Sequence, residues 1–476
     1  MSGGAIPQSL MGAGSRPLHF IGIGGAGMSG IAELCLRLNL AVSGCDLRAS
    51  AATARLAGLG ARITIGHDPS HLSPELNAVV ISSAVKANNP EVQRARAMRI
   101  PVIARAEMLG ELLRLARAGV AVAGTHGKTT TTSLVALILE EAGLDPTVAI
   151  GGNLRARGTN VRLGRGDFMV AEADESDASF LLLLPTIAIV TNIDPEHLDH
   201  YGTMERVREA YLNFVNRVPF YGFAVLGIDS AEVRELLPMV RKPYLTYGEA
   251  ADADYRASAI AIRGLATTFE VSERGQPLGS ITLPLPGHHV ALNALAAIAV
   301  TRALGVSFAV AAAALASFSG IARRFEVKGE MAGRIVLDDY AHHPAEVRAT
   351  LAAAKRAFGR RMLVVFQPHR FTRLRDLFDE FITAFDDADR LYLTDVYPAG
   401  EEPIANVSAL RLSQAIRARG GLEVAYLGEE LWPARRVVAD SAPGDLIATL
   451  GAGDIYRLGE TILHDLGQES PADERA

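Results

Sequence analysis

The string Gly124-Thr125-His126-Gly127-Lys128-Thr129-Thr130 constrains this chain more than any other segment. An apolar run at 120–123 precedes it and an apolar-periodic run at 133–142 follows it, which predicts a strand, a glycine loop and a helix. Such a loop directs N–H groups at phosphate oxygens, with Lys128 on the terminal phosphates and Thr129 as a magnesium ligand. The first glycine of an ordinary P-loop would stand at Val122, so a shorter variant is predicted. The alternative is an ordinary loop with a helix cap.

The length and composition of the chain limit the number of domains, the kinds of partner and the cellular compartment that can be expected. The 476 residues exceed what one core organises, and we expect three domains. A net charge of -6 gives no general attraction for nucleic acid or anionic membranes. Two cysteines, Cys35 and Cys45, build no disulfide framework and favour a reducing compartment, the cytoplasm. The apolar stretch 292–318 is interrupted by Arg302 and Gly305, which predicts two buried helices rather than a membrane span.

The first segment, to about residue 117, has the pattern of a nucleotide-binding sheet. Strand-like runs at 18–23, 40–43 and 78–82 predict a parallel, Rossmann-like sheet with a helix ending near Asn39. Gly22, Gly24 and Gly27 satisfy a dinucleotide fingerprint, and Asp46 stands where an NAD enzyme would hold its ribose. The same loop serves a nucleotide-sugar diphosphate or a purely structural turn, so the alternatives remain open.

Two strands of the central segment, predicted at 168–173 and 186–193, each end in polar residues. Glu172 is the first choice as an Mg2+ ligand, whereas 174–177 could be a solvated turn. His197, in the second polar cluster, could bind a divalent ion, contact the reacting group or cap the next helix. His289 and Asn293, four residues apart on a predicted helix, suit an adenine and ribose, and a helix cap is the alternative.

The last segment, from about Gly320, repeats the pattern of a strand followed by a polar loop. Strands are predicted at 334–337, 362–366, 391–394 and 446–450. Arg370 and Arg373 could clamp a carboxylate and a phosphate, while nearby His and Asp residues could receive an ammonium or its proton. A zinc site at 342–344 is a weaker interpretation, because no third ligand follows at helical spacing.

The ordered set of these motifs resembles the Mur ligases. It comprises the first glycine loop, residues 82–84, 124–130 and 151–153, Glu172, and the segments 191–194, 338–344, 370 and 395–401, and covers the chain from about 18 to 456. The resemblance implies three α/β domains: a Rossmann-like UDP-sugar domain at 1–117, a P-loop-type ATPase domain with a mostly parallel sheet at 118–320, and a Rossmann-like amino-acid domain at 321–476.

Within that family the motifs look like the branch that joins L-alanine to UDP-N-acetylmuramate. The resemblance implies that ATP converts the muramate carboxylate to an acyl phosphate, which the alanine amine attacks, in cytoplasmic peptidoglycan precursor synthesis and hence cell wall biogenesis. A monomer or weak homodimer is expected. Three alternatives stay open: a recycling ligase that attaches a peptide to the same sugar, an NAD-dependent dehydrogenase with an accessory ATPase domain, and a nucleotide-driven binding switch.

The resemblance also implies residue roles. Gly124, Thr125, His126, Gly127, Lys128, Thr129 and Thr130 would bind nucleotide, with His289, Asn293 and Arg324. Thr129, Glu172 and His197 would hold Mg2+, and His126 would lie near the muramate. Tyr340, His342, Arg370 and Arg373 would form the amino-acid side, while Gly24, Gly25, Met28, Ser29 and Ser83 would hold the uridine diphosphate. Lys128, Glu172, His197, His342 and Arg370 are the implied catalytic set.

The chain departs from the family pattern at two places. Other Mur ligases carry a carbamylated lysine after the strand that precedes the histidine, but no lysine occurs here between Lys128 and Lys242. This agrees with the alanine-adding branch. The adenine motif has Val290 where an asparagine is more usual, which leaves Asn293 as the available amide.

Overall fold

The computed structural model describes residues 16–82, 84–154, 159–428 and 433–468. It divides into two compact units. The first runs to Asp194 and includes Thr203–Thr246 and Ala299–Val306; the second includes Pro195–Gly202, Tyr247–Ile298 and the described residues from Ser307 onward. The division into three domains at residues 117 and 320 stays a prediction. Among the described residues, none of the helices has the length and apolarity needed to cross a bilayer.

The N-terminal elements form a parallel sheet in the order β3-β2-β1-β4-β5. They are β1 (Leu18–Ile21), α1 (Ala26–Arg37), β2 (Val42–Asp46), α2 (Ala51–Gly58), β3 (Arg62–Ile65), β4 (Ala78–Ile81), α3 (Pro90–Ala97), β5 (Val102–Ala104) and α4 (Arg105–Leu115). The predicted strand at 40–43 instead begins at Val42, because Asn39 has φ +59° and Leu40 N donates to Cys35 O, which completes the helix end.

The central elements of the first unit surround a second sheet, in which β6 is buried along its whole length. The elements are β6 (Ala118–Ala123), α5 (Lys128–Glu141), β7 (Thr147–Leu154), β8 (Thr159–Arg162), β9 (Phe168–Glu172), β10 (Ile187–Val190), α7 (Met204–Asn216), β11 (Phe223–Gly227), α8 (Ala231–Leu236) and β12 (Tyr244–Gly248). Helix α6 (Leu198–Tyr201), which lies between β10 and α7 in the chain, belongs to the second unit. Within this unit the strand order is β11-β10-β6-β9-β7-β8, and only the β7–β8 pair is antiparallel among the described pairs. The carboxyl ends of β6, β9 and β10 therefore meet at one edge.

An antiparallel layer follows that the sequence analysis did not predict. It consists of β13 (Tyr255–Arg263), β14 (Ala266–Glu273) and β15 (Gln276–Leu283). Arg274 and Gly275, with φ +48° and +79°, form the two-residue turn between β14 and β15. The helices α9 (His288–Ala303) and α10 (Phe308–Ala316) are separated at Gly305, which has φ +90°. The prediction of two helices divided near Gly305 is confirmed.

The C-terminal elements form a third sheet in the order β16-β17-β21-β18-β19-β20, parallel except for β16. They are β16 (Glu326–Met331), β17 (Arg334–Asp339), α11 (Pro344–Phe358), β18 (Met362–Phe366), α12 (Phe371–Asp376), α13 (Phe378–Ile382), β19 (Arg390–Leu393), α14 (Ala409–Arg419), β20 (Glu423–Tyr426), α15 (Pro433–Asp440), β21 (Leu446–Leu450) and α16 (Tyr456–Gln468). The strands predicted at 362–366 and 446–450 have the observed bounds. β17 is longer than predicted, because Asp338 and Asp339 are buried within it. The predicted α/β class with Rossmann-like parallel sheets is confirmed.

Candidate active site

The loop between β6 and α5 is shaped by two glycines. Gly124 has φ +135°, and a Cβ there would collide with Thr191 Oγ1 and lie 3.0 Å from Thr191 N. Gly127 has φ +81° and forms the N-cap of α5. Helix α5 therefore begins at Lys128 with its first N–H groups turned toward the loop, where the helix dipole favours an anion.

The end of β10 holds this loop in place. Thr191 Oγ1 donates to His126 O at 2.6 Å, and Asn192 Nδ2 donates to the same carbonyl at 3.1 Å. His126 N donates to Asn192 Oδ1 at 2.9 Å, and Asp194 N donates to Thr125 Oγ1 at 2.9 Å. These contacts pre-organise the loop before a ligand arrives, which lowers the entropic cost of binding.

Carboxylates already contact the cationic and hydroxyl groups of the loop. Lys128 Nζ lies 2.8 Å from Glu175 Oε1 and donates to Gly124 O at 2.8 Å. Thr129 Oγ1 lies 2.9 and 3.0 Å from the two oxygens of Glu172. A hydroxyl beside a carboxylate is a hard oxygen pair of the kind that Mg2+ prefers, so the residues fit such an ion.

Two further carboxylates, those of Asp194 and Asp174, interact with charged or polar groups of the loop. His126 Nε2 lies 3.2 Å from Asp194 Oδ2, within the first unit. Burial raises the pKa of the Asp174 carboxyl, but hydrogen bonds from Ser176 and the positive charges of Lys128 and Arg105 outweigh it, so the net pKa lies below its ordinary value. The Asp174 carboxyl, in the acidic string after β9, is therefore ionised.

The first glycine-rich loop is closed by Asp46. Asp46 Oδ2 accepts a hydrogen bond from Gly24 N at 2.8 Å, so this carboxylate fastens the loop. Gly25 is exposed at the loop tip, whereas Met28 and Ser29 are only 2% and 4% exposed. The side chains of Met28 and Ser29 thus face the core. Ser83 lies outside the described residues.

In the second unit, Arg373 forms a buried ion pair with Glu196. Arg373 Nη2 and Nε lie 2.7 and 3.2 Å from Glu196 Oε1, and the two side chains are 9% and 8% exposed. Arg373 Nη1 also donates to His369 O at 3.1 Å. Arg370, with φ +70°, begins the turn into α12. A cleft of about 150 Å3, partly open to solvent, is lined here by Pro195, Glu196, His197, Leu198, Arg370, Thr372, Arg373, Asp376, Leu377 and Glu380.

The histidines beside this ion pair are neutral at pH 7. Burial lowers the pKa of His342 to about 4, and it lowers the pKa of His369 to about 3 with the help of His342 and Arg373. His342 Nδ1 lies 3.0 Å from Tyr340 O. His343 Nδ1 accepts from Ala345 N and caps α11. In the part of the chain that the structure describes, neither His342 nor His343 belongs to a three-donor metal group, so nothing favours the zinc interpretation.

Two adjacent arginines pack on Tyr340 at the start of the third sheet. The guanidinium carbons of Arg323 and Arg324 lie 4.9 and 5.1 Å from the ring centroid of Tyr340. Asp339 accepts from Phe325 N and Ala341 N, and burial raises its pKa to about 6. The strand end thus fixes the positions of the predicted residues Arg324 and Tyr340.

The predicted adenine residues lie at the beginning of α9 and differ in exposure. His289 is exposed and Asn293 is buried. Val290 is also buried, and its N–H donates to Gly287 O. His197 stands directly before α6 with φ +57°, and its side chain makes no cap hydrogen bond.

Sequence reasoning missed Glu175, Glu196 and Arg323. The first two lie in acidic strings that were recognised after β9 and β10, but spacing along a loop does not tell which carboxylate folds back onto a cation. Arg323 was overlooked in favour of Arg324. Arg323 contacts a second aromatic ring, because its guanidinium carbon also lies 4.7 Å from the ring centroid of Tyr456. Its Nη2 donates to Gly451 O at 2.5 Å.

Three family models match successive parts of the chain. Residues 17–117 match the Mur ligase family catalytic domain, 122–301 the Mur ligase middle domain, and 323–453 the Mur ligase glutamate ligase domain. These matches follow the order of the three sheets along the chain.

Curated relatives and solved structures agree with the family models. The chain is 56% identical over 452 residues to UDP-N-acetylmuramate--L-alanine ligase of Anaeromyxobacter sp. strain Fw109-5, covering 94% of this chain and 98% of that one. It is 53% identical to the enzyme of the same name from Sorangium cellulosum strain So ce56, covering 96% and 98%. The crystal structure of UDP-N-acetylmuramate-alanine ligase MurC from Thermotoga maritima matches with a TM-score of 0.77 at 28% identity, covering 96% and 100%. A murein peptide ligase from Psychrobacter arcticus matches with a TM-score of 0.67 at 25% identity and the same coverage. The chain belongs to the Mur ligase family.

Proposed function

We propose that this chain joins L-alanine to the carboxylate of UDP-N-acetylmuramate in an ATP-dependent reaction. The observation that carries the proposal is identity above 50% over nearly the full length to ligases of that name. The geometry agrees, because one unit holds a phosphate-binding loop and the other a buried arginine suited to a carboxylate. Its role in peptidoglycan precursor synthesis and its cytoplasmic location follow from the same proposal.

The chemistry explains why such loops are needed. A carboxylate is a poor acyl donor, so transfer of the γ-phosphoryl group of ATP converts it to an acyl phosphate. The alanine amine then forms the amide bond as phosphate leaves. Two anions must approach each other in the first step, and Lys128 with the N-terminus of α5 would neutralise the charge that resists this approach.

Thr129, Glu172 and His197 are our candidates to hold Mg2+, with Thr129 and Glu172 already 2.9 Å apart. Bound there, the ion would neutralise phosphate charge. The remaining nucleotide contacts are proposed for Gly124, Thr125, Gly127 and Thr130 in the loop, for His289 and Asn293 at adenine, and for Arg324. His126 is proposed to face the muramate.

The amino-acid side is proposed at Tyr340, His342, Arg370 and Arg373. Arg373 Nε and Nη2 both donate to Glu196 Oε1, and the same edge of the guanidinium can bind the carboxylate of L-alanine. Neutral His342 can accept a hydrogen bond from the amine. The UDP-sugar would lie on the first loop at Gly24 and Gly25, with Met28, Ser29 and the residue Ser83.

One alternative has a specific observation in its favour. The Psychrobacter arcticus neighbour is a murein peptide ligase and matches the same share of the chain. A ligase of that kind would accept a peptide in place of L-alanine. Its lower identity than the curated relatives makes it the second candidate.

Phosphate release distinguishes these functions. ATP, Mg2+ and UDP-N-acetylmuramate are supplied with no amino acid, with L-alanine, or with the tripeptide L-Ala-D-Glu-diaminopimelate. We expect release only with L-alanine, and a product heavier by one alanyl residue. Release only with the tripeptide would assign the peptide ligase. Release without any amino acid would favour a nucleotide-driven switch, and reduction of a nicotinamide at 340 nm would favour a dehydrogenase.

A further inference from the structure

The glycine-rich loop after β1 presents a helix end that suits an anion but lacks a cation of its own. The N–H groups of residues 22–25 all donate within the protein, to backbone carbonyls and to Asp46 Oδ2. The N–H groups of residues 26–28, in the first turn of α1, have no intrahelical acceptor. Gly25 supplies no side-chain cap to them. No lysine or arginine occurs between residues 17 and 36.

Arg105 brings a positive charge to this helix end. It is the first residue of α4, directly after β5, so it lies at the carboxyl edge of the first sheet. A Cβ at Gly27 would lie 3.2 Å from Arg105 Cδ and Cζ and would collide with Nη1. A Cβ at position 27 would therefore displace the guanidinium from its present place against α1.

The guanidinium of Arg105 is partly buried and has no hydrogen bond or ion pair with any residue that the structure describes. Its positive charge still contributes to the lowered pKa of Asp174, in the acidic string after β9. Arg105 thus lies beside the first turn of α1, and its charge acts on Asp174 within the same unit. A partly desolvated arginine at an uncapped helix end is an arrangement that binds phosphate.

We propose that Arg105 binds the diphosphate of the nucleotide-sugar substrate, from the place that Gly27 leaves for its guanidinium beside the first turn of α1. The inference rests on the proposed function, because that function supplies a nucleoside diphosphate as ligand. Sequence reasoning placed this site on the glycine loop and residue 83, and did not include Arg105.

The test compares UDP with uridine, so that the diphosphate is isolated from the base. Binding of each is measured by calorimetry for the wild type, Arg105→Ala, Arg105→Lys and Gly27→Ala, and for Arg114→Ala as a matched control on the exposed face of α4. We expect Arg105→Ala to weaken UDP binding at least tenfold, with uridine within twofold of the wild type. Arg105→Lys is expected to be intermediate, and Arg114→Ala unchanged.

A double mutant tests whether the two positions act together. Gly27→Ala displaces the guanidinium, so the variant with both substitutions is expected to lose no more UDP affinity than Arg105→Ala alone. Wild-type UDP affinity in Arg105→Ala, or equal losses for UDP and uridine, would overturn the proposal. Arg105-dependent UDP binding without alanine-dependent ligation would instead leave this site intact and overturn the proposed function.

Discussion

At the scale of single residues, the cations of both candidate sites are held by carboxylates of the protein. Lys128 contacts Glu175, and Arg373 contacts Glu196, at 2.8 and 2.7 Å. An anionic substrate group would replace each carboxylate with little reorganisation of the cation, because the geometry of the contact is the same. These ion pairs hold the side chains of Lys128 and Arg373 in place before substrates bind.

Lys128→Ala tests the nucleotide side. Because the lysine would neutralise phosphate charge as the phosphoryl group moves, we expect turnover to fall at least 100-fold while the melting temperature stays close to that of the wild type. Phosphate release measures the rate. Lys355→Ala is the control, since Lys355 is exposed and contacts Asp387 only at the surface. Phosphate release at the wild-type rate in Lys128→Ala would contradict the assignment.

Arg373→Lys tests the amino-acid side. A lysine keeps the charge but loses the two-pronged contact, so we expect the KM for L-alanine to rise about tenfold while the KM for ATP changes less than threefold. Steady-state kinetics with each substrate varied in turn measures both. Arg375→Lys, at an exposed position on the same helix, is expected to leave both constants unchanged. Equal increases in the two KM values would show that Arg373 does not act on L-alanine.

At the scale of elements, the unit that matters most is strand β6, its loop and helix α5. The loop is tied to the end of β10 by Thr191 and Asn192, so three elements of one sheet edge fix it. At Gly124 the loop lies so close to Thr191 that a Cβ would collide with Thr191 Oγ1. The conformation of the loop therefore depends on its contacts with the sheet as well as on its own sequence.

Gly124→Ala is expected to disturb that approach. The residue has φ +135° and no space for a Cβ beside Thr191, so either the loop or β10 must move. We expect the KM for ATP to rise more than tenfold, with a loss of about 1 to 3 kcal/mol of stability. Gly58→Ala is the matched control, because nothing lies within 4 Å of a Cβ built there. A normal KM in Gly124→Ala would refute the role of this contact.

The sequence predicted this element well and others poorly, for physical reasons. Buried parallel strands such as Met362–Phe366 are continuous apolar runs bounded by polar loops, so their bounds could be predicted. The strands of the β13–β15 layer, 9, 8 and 8 residues long, mix exposed and buried residues and contain no continuous buried run, and they were not predicted. The sequence did not show which residue contacts each site residue. Arg373 and Glu196, for example, are 177 positions apart in the chain, and local spacing cannot reveal such a contact.

At the scale of the whole molecule, a buried charge joins several parts of the first unit. Glu91 on α3 is fully buried and contacts His19 on β1, Cys45 on β2 and His71. Burial raises the pKa of Glu91, but hydrogen bonds from His19, Cys45 and His71 outweigh it and lower the pKa from 4.5 to about 2. The stabilisation is therefore present above pH 4.5 and is lost as the pH falls from 4.5 toward 2.

Glu91→Gln is expected to lower the free energy of unfolding at pH 7 by about 3 kcal/mol, since a buried network loses its charge. The difference in unfolding free energy between Glu91→Gln and the wild type is expected to be about 1 kcal/mol smaller at pH 4 than at pH 7. At pH 4 the wild type has begun to lose the stabilisation that ionised Glu91 provides. Urea denaturation at the two pH values measures both, with Glu111→Gln as a surface control. A difference that widens on acidification would contradict the sign of the shift.

In the proposed reaction the chain activates the muramate carboxylate as an acyl phosphate, and the acyl group is then transferred to the amine of L-alanine. This reaction is tested most directly with UDP-N-acetylmuramate labelled with 18O in its carboxylate, in the presence of ATP, Mg2+ and L-alanine, by measuring the mass of the phosphate released. We expect one 18O atom in each phosphate, because one carboxylate oxygen leaves with the phosphoryl group. Unlabelled phosphate accompanying amide formation would contradict it.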